Sequence, residues 1–176
     1  MSDSAGVSQD VPVMQRVTSR YFPREDRLAL TGALHDGSCR LWLTARLFRR
    51  LLPMLVKWLA DQGPQVPHAD MMHRWAQEAA TAALQPAPEV RFQGAGEGAA
   101  RDWLVDAVTL RDQRDALVLI WQVEGAGSVA ALPMQAEPLR QWLHILCQQC
   151  RDSGWTDLAW PAWLRELPSL QRGALQ

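Results

Sequence analysis

Residues 28–59 read LALTGALHDGSCRLWLTARLFRRLLPMLVKWL, a stretch that combines two strand patterns with one helix pattern. Apolar residues alternate with other residues over 28–34 and again over 39–43, which is the period of a β-strand with one buried face. Asp36-Gly37 stands between the two runs and predicts a hairpin turn in which both residues have positive φ. A similar alternation over 13–22 predicts a further strand before this hairpin.

The rest of this stretch predicts a long helix. Thr44 is expected to be its N-cap, and Ala45 its first residue, because apolar residues then recur at every third or fourth position. Pro53 lies inside this pattern without ending it, so we expect a kink, and Gly63 is expected to end the helix. A second, alanine-rich helix is predicted after Asp70, which we interpret as its N-cap.

The second half of the chain has the same order of patterns. Strands are predicted over 103–110, 116–123 and 128–134, followed by a helix that Glu137-Pro138 opens and Gly154 closes. A short strand is expected over residues 89–93, and the glycine-rich residues 94–98 are expected to form a flexible loop.

The two halves can be aligned with each other. Leu41 aligns with Leu132 at an offset of 91 residues, and Leu28 with Leu117 at an offset of 89 residues. We interpret this match as an internal duplication of a strand-strand-strand-helix unit. The fold class predicted is therefore α+β, with one antiparallel sheet or half-open barrel built from two repeats, both long helices packed as a layer, and the Asp70 helix bridging the repeats.

This interpretation divides the chain into three parts. The small and polar residues at the start predict a disordered tail, and the proline-broken end of the chain is rich in tryptophan. The predicted parts are a tail at 1–12, a single domain at 13–154 whose repeats (13–63 and 101–154) are linked by 64–100, and a tryptophan-rich C-terminal segment at 155–176.

The composition excludes several classes of protein. Of 176 residues, 48% are hydrophobic and 21% are charged, which is typical of a globular chain rather than a disordered one. A net charge of -1 makes a nucleic-acid partner unlikely on electrostatic grounds. Without a signal-peptide core or a long apolar run, we expect a cytoplasmic protein with no membrane partner. Lys57 is the one lysine among 18 basic residues, and this excess of arginine is typical of a GC-rich bacterial genome.

Tryptophans and arginines are the candidate contact residues. Nine tryptophans stand against one tyrosine, and tryptophan is common at interfaces and in ligand-binding walls. Several arginines share one side of the first helix and could contact an anionic group, although a solvated amphipathic face explains them equally well. The candidates for ligand or partner contact are Trp103, Trp121, Trp155, Trp160, Trp163, Arg46, Arg49 and Arg50.

Cysteines and histidines offer weaker candidates. Cys147 and Cys150 form a CxxC pair, but they lie near the end of a helix and align with core positions of the first half, so we expect buried core residues rather than a zinc or thiol site. His68 and His73 are five residues apart, which is not the spacing that places two imidazoles on one helix face. Both histidines are therefore expected to be solvated, and no metal or cofactor is predicted.

The function predicted from these patterns is a non-catalytic protein-interaction or assembly module, with a protein partner or self-association as a dimer. No convergent catalytic set is present in the sequence. The alternative is a small-ligand-binding protein or enzyme that uses a groove between the repeats, with Trp103 and Trp121 as walls and the turn residues Asp26 and Asp115 as polar groups.

Overall fold

The structure is a computed structural model that describes residues 11–93 and 101–166. The expected loop at 94–98, most of the expected tail (1–10) and the end of the C-terminal segment (167–176) lie outside the described residues. The elements in chain order are β1 (Arg16–Phe22), β2 (Arg27–Leu34), β3 (Gly37–Thr44), α1 (Ala45–Gln62), α2 (Ala69–Ala82), β4 (Asp102–Leu104), β5 (Ala107–Gln113), β6 (Ala116–Val123), β7 (Gly127–Met134), α3 (Ala136–Arg151) and α4 (Ala162–Arg165).

The first half of the chain follows its local sequence signals closely. β1, β2 and β3 form an antiparallel meander, as predicted. Thr44 is the N-cap of α1, and its hydroxyl accepts a hydrogen bond from the amide of Leu47 at 3.2 Å. Pro53 lies inside α1, which continues to Gln62. In the β2–β3 turn, Gly37 has a φ of 143° while Asp36 does not have positive φ, so that part of the turn prediction was wrong.

The strand predicted over 103–110 is divided between two sheets. β4 pairs with β3 in parallel, whereas β5 pairs with β6 in antiparallel orientation. The exchange of partners takes place within two residues, because the amide of Val105 donates to Trp42 O and the amide of Asp106 donates to Gln122 O, both at 3.0 Å. A change of hydrogen-bonding partner leaves no trace in the side-chain alternation of the sequence.

Two sheets therefore replace the single antiparallel sheet that was predicted. One is a mixed four-stranded sheet in the order β1-β2-β3-β4, and the other is an antiparallel three-stranded sheet in the order β5-β6-β7. The class is α+β, as predicted. Whether the halves arose by duplication, and whether the long helices form one layer, remain predictions.

Each half contributes backbone and side-chain contacts to the other. The segment before β1 reaches β7, where the amide of Ala131 donates to Pro12 O at 2.8 Å. In the same way β4, which precedes β5, pairs with β3 of the first half. Trp58 of α1 donates its indole N–H to the carboxylate of Asp112 in β5 at 3.0 Å. In the opposite direction, Trp142 of α3 donates to the hydroxyl of Ser19 in β1 at 2.8 Å. The two halves therefore interlock.

Two local predictions in the link between the halves were wrong. The N-cap of α2 is His68, which has a left-handed φ of 77°, and Asp70 lies in the first helical turn. Residues 89–93 do not form a strand. Instead the amide of Val90 donates to the hydroxyl of Thr18 at 2.8 Å, so side chains rather than a strand ladder hold this segment against β1.

The third helix begins and ends close to its predicted limits. α3 starts at Ala136 and its C-cap is Asp152, while Gly154, with a φ of 75°, follows two residues later in the turn. α2 packs on α3, because Gln77 donates to Arg140 O and Gln141 donates to Ala80 O, both at 3.0 Å. No helix in residues 11–93 or 101–166 is long and apolar enough to cross a membrane.

Candidate functional site

The arginines on the outer side of α1 differ in their partners. Arg49 forms an ion pair with Asp157, with 2.7 Å between Nε and Oδ2. Arg46 and Arg50 are exposed and form no hydrogen bond or ion pair with any described residue. Two of the three predicted arginines are therefore exposed and have no ion-pair partner in the part of the chain that the structure describes.

Arg46 and Arg50 line a groove between the first three turns of α1 and the junction of β4 and β5, which we call the α1–β5 groove. It consists of a cleft of about 350 Å³ and an adjoining one of about 110 Å³, which share Leu47, Arg50 and Asp106. The described residues that line it are Thr44, Arg46, Leu47, Arg50, Leu51 and Met54 from α1 and its cap, and Leu104, Val105, Asp106, Ala107 and Val108 from the facing segment.

The α1–β5 groove has both apolar and polar walls: apolar surface predominates in the smaller cleft and polar surface in the larger one. Met54 and Leu104 are 50% and 42% exposed, whereas large hydrophobic side chains are usually shielded when they cluster. The one acidic residue in the lining, Asp106, accepts a hydrogen bond from the amide of Glu124 at 2.6 Å. This bond ties the carboxylate to the β6–β7 turn without removing its charge, so the groove combines apolar and polar walls with two cationic groups and one anionic group.

None of the predicted tryptophans lines this groove. Trp121 is fully buried, and Trp155 and Trp163 also belong to the hydrophobic core. Trp103 and Trp160 are partly buried and pack against the core. A partner could reach Trp121, Trp155 or Trp163 only if part of the fold opened, whereas Trp103 and Trp160 keep some exposed surface, and contact with any of these rings remains a prediction.

Trp155 is held in place by one of the turn aspartates. Its indole N–H donates to the carboxylate of Asp26 at 2.7 Å, and the Tyr21 hydroxyl donates to the same oxygen at 2.6 Å. The hydrogen bond with Asp26 raises the pKa of Tyr21 to about 12, while the bonds from Tyr21 and Trp155 lower the pKa of Asp26. Asp26 therefore anchors the C-terminal segment to the β1–β2 turn.

The cysteines lie in the core. Cys39, Cys147 and Cys150 are buried free thiols, as predicted for the CxxC pair. Burial raises the pKa of Cys150 to about 12, and it also raises that of Cys147, so the reactive thiolate form is disfavoured. Within the described residues, no three His, Cys, Asp or Glu side chains are grouped so that they could hold a metal ion.

His73 is buried, so the expectation that both His68 and His73 are solvated was wrong for His73. Its Nδ1 lies 2.9 Å from Nη2 of the buried Arg140, and its ring stacks on Trp163. Burial and the neighbouring charge of Arg140 lower the pKa of His73. The sequence does not show this arrangement, because Arg140 comes from a helix that is distant along the chain.

Sequence reasoning found the arginines of the groove but not its other wall. Met54, on the same helix as the arginines, was not singled out by the helical pattern, and Leu104 on the other wall was predicted to be part of a continuous strand. The exchange of sheets after β4 exposes Leu104 at this position, and only three-dimensional pairing could reveal it. Comparisons of the chain with protein families, with curated proteins and with solved structures found no match.

Proposed function

We propose that the protein is a non-catalytic protein-interaction module and that the α1–β5 groove is its contact surface. The observation that carries this proposal is the position of Arg46 and Arg50, both without a partner among the described residues, beside the exposed side chains of Met54 and Leu104. A cationic rim next to apolar walls suits a protein segment that offers both carboxylates and apolar side chains.

The groups in the groove favour binding over catalysis. Among the described residues, its lining contains no histidine, cysteine or lysine, and the carboxylate of Asp106 is already bonded to Glu124 N. Nucleophilic and acid–base catalysis usually need such a group beside a partner that activates it. The proposal includes a cytoplasmic location in a bacterial cell and either a protein partner or a second copy of the chain.

A small anionic ligand is the second candidate. The larger cleft, at about 350 Å³, falls within the usual volume range of small-molecule sites, and two arginines could bind a carboxylate or phosphate there. The walls proposed for this alternative, Trp103 and Trp121, lie elsewhere, so it would depend on the arginines and Leu104.

The test is a selection of peptides from a displayed random library on the immobilised full-length protein. We expect enriched peptides to combine acidic and apolar residues, and to bind the Arg46→Glu, Arg50→Glu double variant at least about tenfold more weakly, because attraction becomes repulsion at two sites. Arg24→Glu is the matched control, since Arg24 is an exposed arginine in the β1–β2 turn, outside the groove lining.

Each result of the selection has a definite meaning. Equal binding of the enriched peptides to the wild type and to the double variant would exclude the α1–β5 groove as the contact surface. Binding of inorganic phosphate or a dicarboxylate at the arginines, together with an absence of enriched peptides, would favour the small-ligand alternative.

A further inference from the structure

We infer that the partner binds in the α1–β5 groove as an extended segment that adds a strand to the free edge of β5. This inference rests on the proposed function and specifies how the groove is occupied. The segment belongs to another protein, and its acidic and apolar side chains alternate.

The groove reaches the edge of β5. Ala107 and Val108 both line it, although successive side chains of a strand point to opposite faces of the sheet. A cavity that both residues line therefore reaches the backbone of β5 as well as its side chains on one face. β5 is the outer strand of its sheet and pairs with β6 alone among the described strands.

This edge lacks the protection that the corresponding edge of the other sheet has. At the edge of β1, the Tyr21 amide donates to the side-chain oxygen of Gln149 in α3 at 3.0 Å. Within the described parts of the chain, no comparable side-chain hydrogen bond caps an amide of β5. Residues 107–110 carry no charge, and charged residues, a common means of blocking strand addition, occur in β5 only at Arg111 and Asp112.

The chemistry of the groove selects the occupant. An added strand would form hydrogen bonds with unpaired backbone groups of β5, and its side chains would point alternately into the groove and away from it. The carboxylates, on one face of this strand, would meet Arg46 and Arg50 in the groove, and the apolar side chains would point to the opposite face. A second copy of β5 fits less well, because its Arg111 would bring another positive charge to the arginines.

The probe is a synthetic peptide of seven residues, the length of β5, in which valine and glutamate alternate. Two derivatives carry N-methyl groups on the odd or on the even amides, which removes backbone donors from one edge of the peptide at a time. We expect one derivative to lose at least about tenfold in affinity and the other to keep it, because an added strand bonds β5 through one edge only.

Amide hydrogen exchange of the full-length protein provides an independent measurement. Alternate amides of β5 should exchange more slowly when the unmethylated peptide is bound, because those that point away from β6 gain partners. The Arg24→Glu variant should behave like the wild type.

The outcomes separate this inference from the proposed function. Arginine-dependent binding that tolerates both methylated derivatives, or that leaves exchange in β5 unchanged, overturns strand addition and retains the groove as a contact surface. Dimerisation through β5 would overturn the assignment to another protein. It would be detected as a dimer in native mass spectrometry and as weaker peptide binding at higher protein concentration. An absence of binding of this peptide tighter than about 1 mM contradicts strand addition by an alternating acidic and apolar segment, whereas the peptide selection decides whether the groove is the contact surface.

Discussion

His144 shows how a single side chain can conflict with its surroundings. It is fully buried in α3, and neither ring nitrogen has a hydrogen-bond partner among the described residues. Burial and the charge of Arg151 lower its pKa, because the protonated ring cannot be solvated there. A neutral histidine in the core is thus tolerated only while it stays neutral.

We expect His144 to make the protein less stable in acid. Because its pKa is lower in the folded state, its contribution to stability is complete above the unfolded pKa of about 6.5 and is lost as the pH falls below that value, by up to about 1.4 kcal/mol per pH unit. Urea unfolding at about pH 7.5 and about pH 5.5 measures this loss.

His144→Leu is the control variant for this pH effect. The variant should lose less free energy of unfolding on acidification than the wild type. The pKa of His73 is also lowered, but His73 is present in both proteins and so does not account for a difference between them. An equal loss in the two proteins would show that His144 does not contribute to the acid sensitivity.

At the scale of elements, the described part of the C-terminal segment, residues 155–166, forms part of the core. Trp155, Trp163 and Leu164 are buried, and Trp163 lies against both His73 and Arg140. The sequence left open whether this segment covers the sheet or docks on another chain. The buried rings show that it packs within its own fold, while any further role in docking is untested.

Two tryptophans offer a matched comparison of this packing. We expect Trp163→Ala to lower the free energy of unfolding by about 3–5 kcal/mol, because it leaves a cavity in the core. Trp75 on α2 is 56% exposed, so Trp75→Ala should cost less than about 0.5 kcal/mol. Urea unfolding monitored by circular dichroism measures both values, and similar costs would contradict the burial of Trp163.

At the scale of the whole molecule, the interlocking of the halves governs folding. Each half supplies a backbone segment that pairs with the last strand of the other, and each long helix has a tryptophan bonded to the other half's first strand. A half alone would expose these surfaces to water. Its apolar contacts would be too few to offset the conformational entropy that folding costs.

We expect neither half to fold alone. Fragments 1–93 and 94–176 should each lack a cooperative unfolding transition, and their mixture should regain one, because the contacts between them are restored. Circular dichroism with urea titration of each fragment and of the mixture is the measurement. A cooperative transition in fragment 1–93 alone would contradict the interlocked arrangement.

The sequence by itself determined the elements whose signals are local. The Thr44 cap, the apolar repeat of α1 and the alternation in β2 and β6 act between residues close along the chain, so their bounds could be predicted. The buried CxxC pair could be predicted in the same way, from its place on an apolar helix face.

Only the tertiary structure decided which elements became neighbours. The exchange of sheets between Val105 and Asp106, the contact of His73 with Arg140 and the cationic groove all depend on residues that are distant along the chain. Side-chain alternation specifies the face of a strand but not its neighbour. Two sheets therefore formed where the sequence predicted one, and the exposed Leu104 at their junction completes the α1–β5 groove.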